Sequence, residues 1–361
     1  MSLILTFLGK GGTGRTTVAI AAAKRLASQG QRVLLVGQNP GPAFGILLGV
    51  EPGSDPQELS ANLQVVQLSA AALLERGWEE VKQLEAQYLR SPLLKNVYGQ
   101  ELGVLPGMDS ALTLNAIREY DASGKYDAIV YDGSGDQATL RILGMPETFS
   151  WYVRRFRQVL GESEMWKAVS PFIQPVTSAV LNVTWNGETF AAQPTEQVNS
   201  LLEQGKAAIS NPQRMAAWLV TTQDTAAIAT AKYLWGSAQQ VGLTVGGVIC
   251  NQGTISSPEE FSPLSVSALP SSADWQPLMD ALPDFRQATS APRSMEIDLA
   301  NRQVKLFLPG FEKKQVKLTQ YGPEVTIEAG DQRRNIMVPP QLSGQPVKGA
   351  KFQNGYLIIS F

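Results

Sequence analysis

The apolar positions along this chain change rhythm twice. From residue 1 to about 290, short continuous apolar runs alternate with stretches of helical periodicity. The runs at 3–8, 32–36, 63–68, 102–105, 127–131, 216–222 and 245–250 predict strands, several of them buried on both faces of a parallel sheet. Helices are predicted between them, for example over 16–29, 110–121 and 226–241. Strands and helices in alternation predict a doubly wound, mostly parallel α/β domain over 1–290, with ligands at the carboxyl ends of the strands.

Residues from about 145 to 212 break that rhythm. Met145, Phe149, Trp151, Tyr152, Phe156, Met165 and Trp166 crowd aromatic and flexible apolar side chains among arginines and glutamates. This predicts a helical insertion with one apolar face. Two readings of that face stand: a helical layer packed on its own core, or a groove for another protein's hydrophobic segment. On the second reading Phe149, Trp151, Tyr152, Phe156, Met165 and Trp166 bind the client.

After about 294 the period becomes two. Val304 with Leu306, Val316 with Leu318, Val325 with Ile327, Ile336 with Val338 and Tyr356 with Ile358 alternate between turn residues. An all-β sandwich module of about seven strands is expected over 294–361, after a linker at Ser290, Ala291 and Pro292.

The most specific chemistry follows the first apolar run. Residues 9–17 read Gly-Lys-Gly-Gly-Thr-Gly-Arg-Thr-Thr, between a predicted strand and a predicted helix. Glycines at Gly9, Gly11, Gly12 and Gly14 let backbone N–H groups turn toward phosphate oxygens, and the following helix adds its positive end. Thr13 and Thr17 complete the loop, and Thr16 stands where a hydroxyl ligates Mg²⁺ in the G-x-x-x-x-G-K-[ST] pattern. Two positions are unusual. Arg15 replaces the lysine of that pattern with a planar fork. Lys10 is an additional cation, better placed to reach a nucleotide across a dimer interface than its own, as an arginine finger does.

Other pieces of a nucleotide site follow. Asp132 ends the apolar run 128–131, as a Walker B carboxylate does when it holds Mg²⁺. Asn39 lies in the loop after the second strand, where its amide can bond a water but cannot take its proton. Asn251 ends another apolar strand; it either reads an adenine edge or simply begins a turn.

Composition narrows the chemistry. Among 361 residues there is no histidine and one cysteine, Cys250, so catalytic triads, histidine acid–base work, disulfides and Cys-x-x-Cys metal sites are excluded. A net charge of −2 advertises no nucleic acid partner. No apolar run reaches the roughly 18–20 residues that cross a bilayer. A cytoplasmic protein is expected, or a stromal one if this is a mature organellar form, with membrane contact only through a client or receptor.

These elements, in this order, resemble the ArsA-type ATPases, which include arsenite-pump ATPases and the guided-entry ATPase that delivers tail-anchored membrane proteins. The resemblance covers residues 1–290 and implies a SIMIBI-type P-loop NTPase with a deviant Walker A loop. Lys10 matches the family lysine that crosses a homodimer interface. Leu105-Pro106-Gly107-Met108-Asp109 matches a Pro-Gly-x-Asp segment, and Asp132 through Thr139-Leu140-Arg141 matches switch II. Asn251 falls on the family's adenine-reading asparagine. The departures are Asn39 in place of the switch I aspartate that positions water, Arg15 in place of lysine, and the absence of the zinc-binding cysteine pair and arsenite-binding thiols. The C-terminal module resembles an α-crystallin (small heat-shock protein) domain through Leu308-Pro309-Gly310-Phe311 and Ala350 to Leu357.

The resemblance implies a homodimer that binds ATP and Mg²⁺, hydrolyses slowly through Lys10, Asn39 and Asp132, and shields hydrophobic segments such as transmembrane helices. A nucleotide-bound scaffold without turnover is the alternative. A partition-type ATPase fits the aromatic insertion and the β module less well.

Overall fold

A computed structural model of the chain describes residues 1–38, 41–88, 96–105, 107–161 and 193–361. Eight strands form the first sheet: β1 Leu3–Leu8, β2 Val33–Gly37, β3 Gln57–Ser60, β4 Leu63–Gln67, β5 Ala128–Asp132, β6 Met215–Thr221, β7 Thr244–Asn251 and β8 Val266–Leu269. Their order is β3-β4-β2-β5-β1-β6-β7-β8, and every pairing is parallel except that of β3 with β4. The phosphate-loop strand β1 is central, between β5 and β6.

The helices are α1 Arg15–Ser28, α2 Ala43–Leu48, α3 Ala70–Tyr88, α4 Met108–Ala122, α5 Gln137–Gly161, α6 Gln193–Ser210, α7 Thr225–Gln240 and α8 Trp275–Ala281. Leu5, Phe7 and Val130 pack with Val18, Ile20 and Ala22 of α1 and Leu278 of α8 on one face of the sheet. Leu8, Ile129 and Tyr131 pack with Ile117 of α4, Leu140 of α5 and Leu234 of α7 on the other. Strands with both faces covered read as unbroken apolar runs, which is why β1, β5, β6 and β7 were visible in the pattern. Each fully buried Leu, Ile or Val side chain contributes about 1.5–3 kcal/mol relative to exposure.

The run at 102–105 is not a strand. A 3-10 turn over Gly99–Glu101 precedes it, and Gly103, Val104 and Leu105 are exposed, with Leu105 at 62%. Among the described residues no strand pairs with this run. The short edge strands β3 and β8 lack a continuous apolar run, so period alone did not mark them.

The β module holds β9 Met295–Asp298, β10 Gln303–Phe307, β11 Val316–Tyr321, β12 Glu324–Ala329, β13 Gln332–Met337, β14 Gly349–Gln353 and β15 Tyr356–Ser360. They form two antiparallel sheets, β14-β15-β10-β9 and β11-β12-β13. Val304, Leu306, Val325, Ile327 and Ile359 close the core between them. In β15 the buried pair is Leu357 with Ile359, not Tyr356 with Ile358. The alternation was right and its phase was off by one residue. Tyr356 instead packs against Phe307, with ring centroids 4.8 Å apart.

The module is seated on α5 and α7. Tyr233 of α7 meets Phe311 edge-on at 5.6 Å, and Trp235 meets Phe307 at 5.5 Å. Arg154 of α5 donates to Glu324 of β12 at 2.6 and 3.0 Å. Arg141 of α5 forms an ion pair with Asp331. No helix among the described residues is long and apolar enough to cross a membrane.

Candidate nucleotide site

β1 delivers the chain into the loop at Gly9, whose N–H donates to the Gly135 carbonyl at 2.8 Å. The loop then folds on itself. Thr13 donates to the Lys10 carbonyl through its N–H at 3.3 Å and its hydroxyl at 2.9 Å. Gly14 precedes α1 with φ at +88°, a left-handed conformation that glycine adopts without strain. A Cβ there would also overlap the Asn251 side chain. The mouth of the loop is open: Lys10, Gly11 and Gly12 are exposed, and a Cβ at Gly11 or Gly12 would meet nothing within 4 Å. Loop N–H groups and the first turn of a fourteen-residue helix line this opening, so the end of α1 favours an anion there.

β5 lies beside β1 and ends at Asp132. This carboxylate is 7% exposed. Burial pushes its pKa up to about 6, against a hydrogen bond from Thr16 and the charge of Arg15. The Thr16 hydroxyl and the Asp132 carboxylate thus meet below the loop, two oxygen donors of the kind that holds Mg²⁺.

Arg15 is half-buried beside the loop that follows Asp132. Burial lowers the pKa of its guanidinium, while Asp132 and Asp136 oppose that shift. Its Nη1 is buried and has no hydrogen-bond partner among the described residues. Gly135, with φ at +62°, lies directly over it; a Cβ there would strike both Arg15 and the Phe7 carbonyl. For Asp136, burial opposes ionisation, but hydrogen bonds from Ser134 at 2.6 Å and from the Ala138 N–H at 2.8 Å hold the carboxyl below its usual range.

The structure therefore brings Gly9 to Thr16, Asp132 and Asn251 together at the carboxyl ends of β1, β5 and β7, with half-buried Thr17 in the first turn of α1. Asn251 is buried and donates from Nδ2 to the Thr13 carbonyl at 3.0 Å, so it braces the loop and keeps only its second amide hydrogen and its oxygen for an adenine edge. Asn39 and Pro106 lie outside the described residues, as do Met165 and Trp166. Phe156 belongs to α5, but its side chain is outside what is described. Phe149 and Tyr152 are 48% and 49% exposed. Trp151 is half-buried and donates its indole N–H to Glu324 at 3.2 Å.

Sequence reasoning missed Gly135, Ser134 and Thr139 as the clasp over Arg15. Gly135 donates its N–H to Thr139 Oγ1 at 2.8 Å, and Thr139 and Ser134 hydroxyls lie 3.0 Å apart. The signal available was the Gly-Ser-Gly run after Asp132, which marks a loop held against another backbone.

The residues present fit a magnesium nucleotide: open glycine backbone, a helix start, and the Thr16–Asp132 pair beneath. Comparison with known proteins agrees. The family model for anion-transporting ATPases matches residues 2–265, and that for an HSP20-like domain found in ArsA matches residues 300–361. A putative arsenical pump-driving ATPase of Chlorobaculum tepidum is 32% identical over 156 residues, 43% of this chain and 38% of that protein. The match thus spans well under half the length of that relative. A putative arsenical pump-driving ATPase 1 of Aquifex aeolicus is 21% identical over 403 aligned residues, 99% of each chain. An ATPase GET3 of Lachancea thermotolerans is 24% identical over 256 residues, 68% of this chain and 70% of that one.

Proposed function

The chain belongs to the anion-transporting ATPase family, and from that premise we propose a homodimer that binds Mg-ATP, hydrolyses it slowly, and shields hydrophobic protein segments such as the transmembrane helix of a tail-anchored protein. The observation that carries the nucleotide part is the open Gly11–Gly12 backbone at the start of α1, with the buried Asp132 ending the neighbouring strand.

Within the Gly9–Gly14 loop, the backbone N–H groups not already bonded to carbonyls would hold the phosphates, and Thr16 with Asp132 would hold Mg²⁺. When bound, the nucleotide supplies the phosphoryl group and Mg²⁺ neutralises its charge. Asn251 keeps the loop in shape through Thr13. Lys10, exposed at the tip, is free to contribute positive charge across a dimer interface. Arg15 is clasped beneath Gly135, so it links the phosphate loop to the segment after Asp132. Asn39 can orient water through its amide but cannot accept a proton, which makes turnover slow.

Support for the shielding part is the exposed apolar pair Phe149 and Tyr152 on α5, and the likeness to an ATPase GET3. The exposed Lys10 and the family resemblance support the dimer. A second reading, a nucleotide-held scaffold without turnover, is favoured by the buried, unbonded Arg15 Nη1.

The test is steady-state phosphate release alongside photo-crosslinking of a transmembrane peptide, with and without Mg-ATP. Slow release with nucleotide-dependent crosslinking supports the proposal. Nucleotide binding with no release supports the scaffold. Crosslinking indifferent to nucleotide overturns the shielding role.

A further inference from the structure

Away from the nucleotide site, a cleft opens between α5, α7 and β13, where the β module meets the α/β domain. Its volume is about 280 Å³, and Arg141, Met145, Phe149, Gln240, Val241 and Arg334 line it. We propose that this cleft binds a small monocarboxylate with an apolar body.

The charges around the cleft leave one cation over. Arg141 is paired with Asp331, and the neighbouring Arg333 is paired with Glu328 at 2.8 Å. Arg334 donates from Nη1 to the Gln239 backbone carbonyl at 3.1 Å, but no carboxylate lies within ion-pair distance of it among the described residues. Glu147 also faces the cleft, yet it is paired with Lys206 at 3.4 Å and acts on Arg334 only at longer range. Arg334 is half-buried; a partly desolvated cation without a counter-charge is costly, and a guanidinium fork matches a carboxylate with two parallel hydrogen bonds. One unneutralised charge calls for one negative charge, not the two of a phosphate monoester.

Two further groups point the same way. Gln239 and Gln240 are 1% and 2% exposed, and neither end of either side-chain amide has a hydrogen-bond partner among the described residues. Buried amides without partners are rare because each loses its bonds to water. Gln240 borders the cleft, so a small shift of its side chain would give a carboxylate oxygen a second donor. Opposite these polar groups stand Met145, Phe149 and Val241, an apolar wall suited to a short alkyl chain or a ring. The volume suits a small acid and is too tight for a nucleotide.

The full-length chain is tested by calorimetric titration with hexanoate, benzoate, neutral hexanamide and inorganic phosphate. Hexanoate or benzoate should bind one per chain, with hexanamide at least roughly tenfold weaker because it lacks the charge. Arg334→Gln should weaken the acid by a similar factor and leave Mg-ATP affinity unchanged. If that variant fails to fold, hydrogen exchange on the parent chain serves: hexanoate should protect segments 141–149 and 332–334. No carboxylate binding at about 10 mM, equal binding of hexanamide, preference for phosphate, or binding that leaves those segments unprotected would each overturn the proposal.

Discussion

Gln137, the first residue of α5, accepts a hydrogen bond from Gln332 of β13 at 2.6 Å and donates to Ser237 of α7 at 2.8 Å. It stands five residues after Asp132, so the helix that leaves the nucleotide site is fastened at its first residue to the β module. Arg141 and Arg154 repeat the attachment further along the same helix. A shift in the segment after Asp132 therefore reaches the module directly.

Gln332→Ala should loosen that attachment. It leaves the Gln137 oxygen without its partner, a loss of about 1–3 kcal/mol if no water replaces it. The expected outcome is faster amide hydrogen exchange in α5, unchanged exchange in β12 and β15, and a two- to five-fold change in ATP turnover, roughly 0.4–1 kcal/mol in the barrier. Unchanged exchange in α5 would mean that the α7 contacts alone hold the module.

Gly14→Val should abolish nucleotide binding while the sheet still folds. The position needs a left-handed backbone, and its neighbour Asn251 leaves no room for a branched side chain. A fluorescent nucleotide titration measures the loss, and circular dichroism checks the fold. Binding as tight as the parent's would move the nucleotide site elsewhere.

How much of this was legible in the sequence depended on what each residue touches. Gly9 to Thr16 announced themselves because backbone wrapping of a phosphate allows little besides glycine. Strands β1 and β5 did so because both faces are buried. The Gln137–Gln332 bond was hidden, because its partners are 195 positions apart and glutamine has no pattern of its own. Arg15 was visible as an oddity at the lysine position, but its clasp by Gly135 depends on how two loops approach in space. The phase of β15 escaped because four apolar residues in a row, Tyr356 to Ile359, allow either alternation.

Asp132 gives a pH dependence whose sign can be stated. Its pKa is about 6 in the fold against an ordinary 3.8, so the folded chain holds the proton more tightly than the unfolded one. The stabilisation from that proton is complete below the ordinary value and is lost as pH rises through about 6. Above that, the buried carboxylate costs up to about 3 kcal/mol. Asp132→Asn should therefore melt higher than the parent at neutral pH without nucleotide, with the difference vanishing near pH 4. The parent's magnesium-dependent nucleotide affinity should fall about tenfold per unit below pH 6, because the ion needs the carboxylate ionised. Melting curves that respond identically in parent and variant across this range would contradict the assignment.

Lys10→Ala should lower the rate of hydrolysis about 100-fold or more and change nucleotide affinity by less than about threefold, since a charge supplied to the transition state is scarcely felt by the ground state. The side chain is exposed and has no ion-pair partner among the described residues, so its removal costs the fold little. Mixed dimers locate its action. When one subunit carries Lys10→Ala and the other Gly14→Val, one site keeps both its nucleotide and the partner's lysine, so activity should be higher than when both changes lie in the same subunit. Equal activity in the two arrangements would mean that Lys10 serves its own subunit.

Trp151 and Tyr152 are adjacent on α5, with rings in edge contact at 5.1 Å, yet they should respond oppositely to a polar change. Tyr152 is 49% exposed, so Tyr152→Ser should move the melting temperature little; exposed substitutions stay within about 0.5 kcal/mol. If it faces a client, capture of a transmembrane peptide should drop severalfold, because an apolar contact of this size is lost on binding. Trp151 is half-buried and its indole N–H is committed to Glu324 of the β module. Trp151→Ser should therefore lower the melting temperature by several degrees, through lost burial and one lost hydrogen bond to Glu324, which Arg154 still holds, with capture by the remaining folded protein reduced less than by Tyr152→Ser. Peptide crosslinking run beside thermal melting separates the two effects. A large fall in melting temperature for Tyr152→Ser, with crosslinking intact, would return Tyr152 to the packing of its own domain and leave the client surface elsewhere on the molecule.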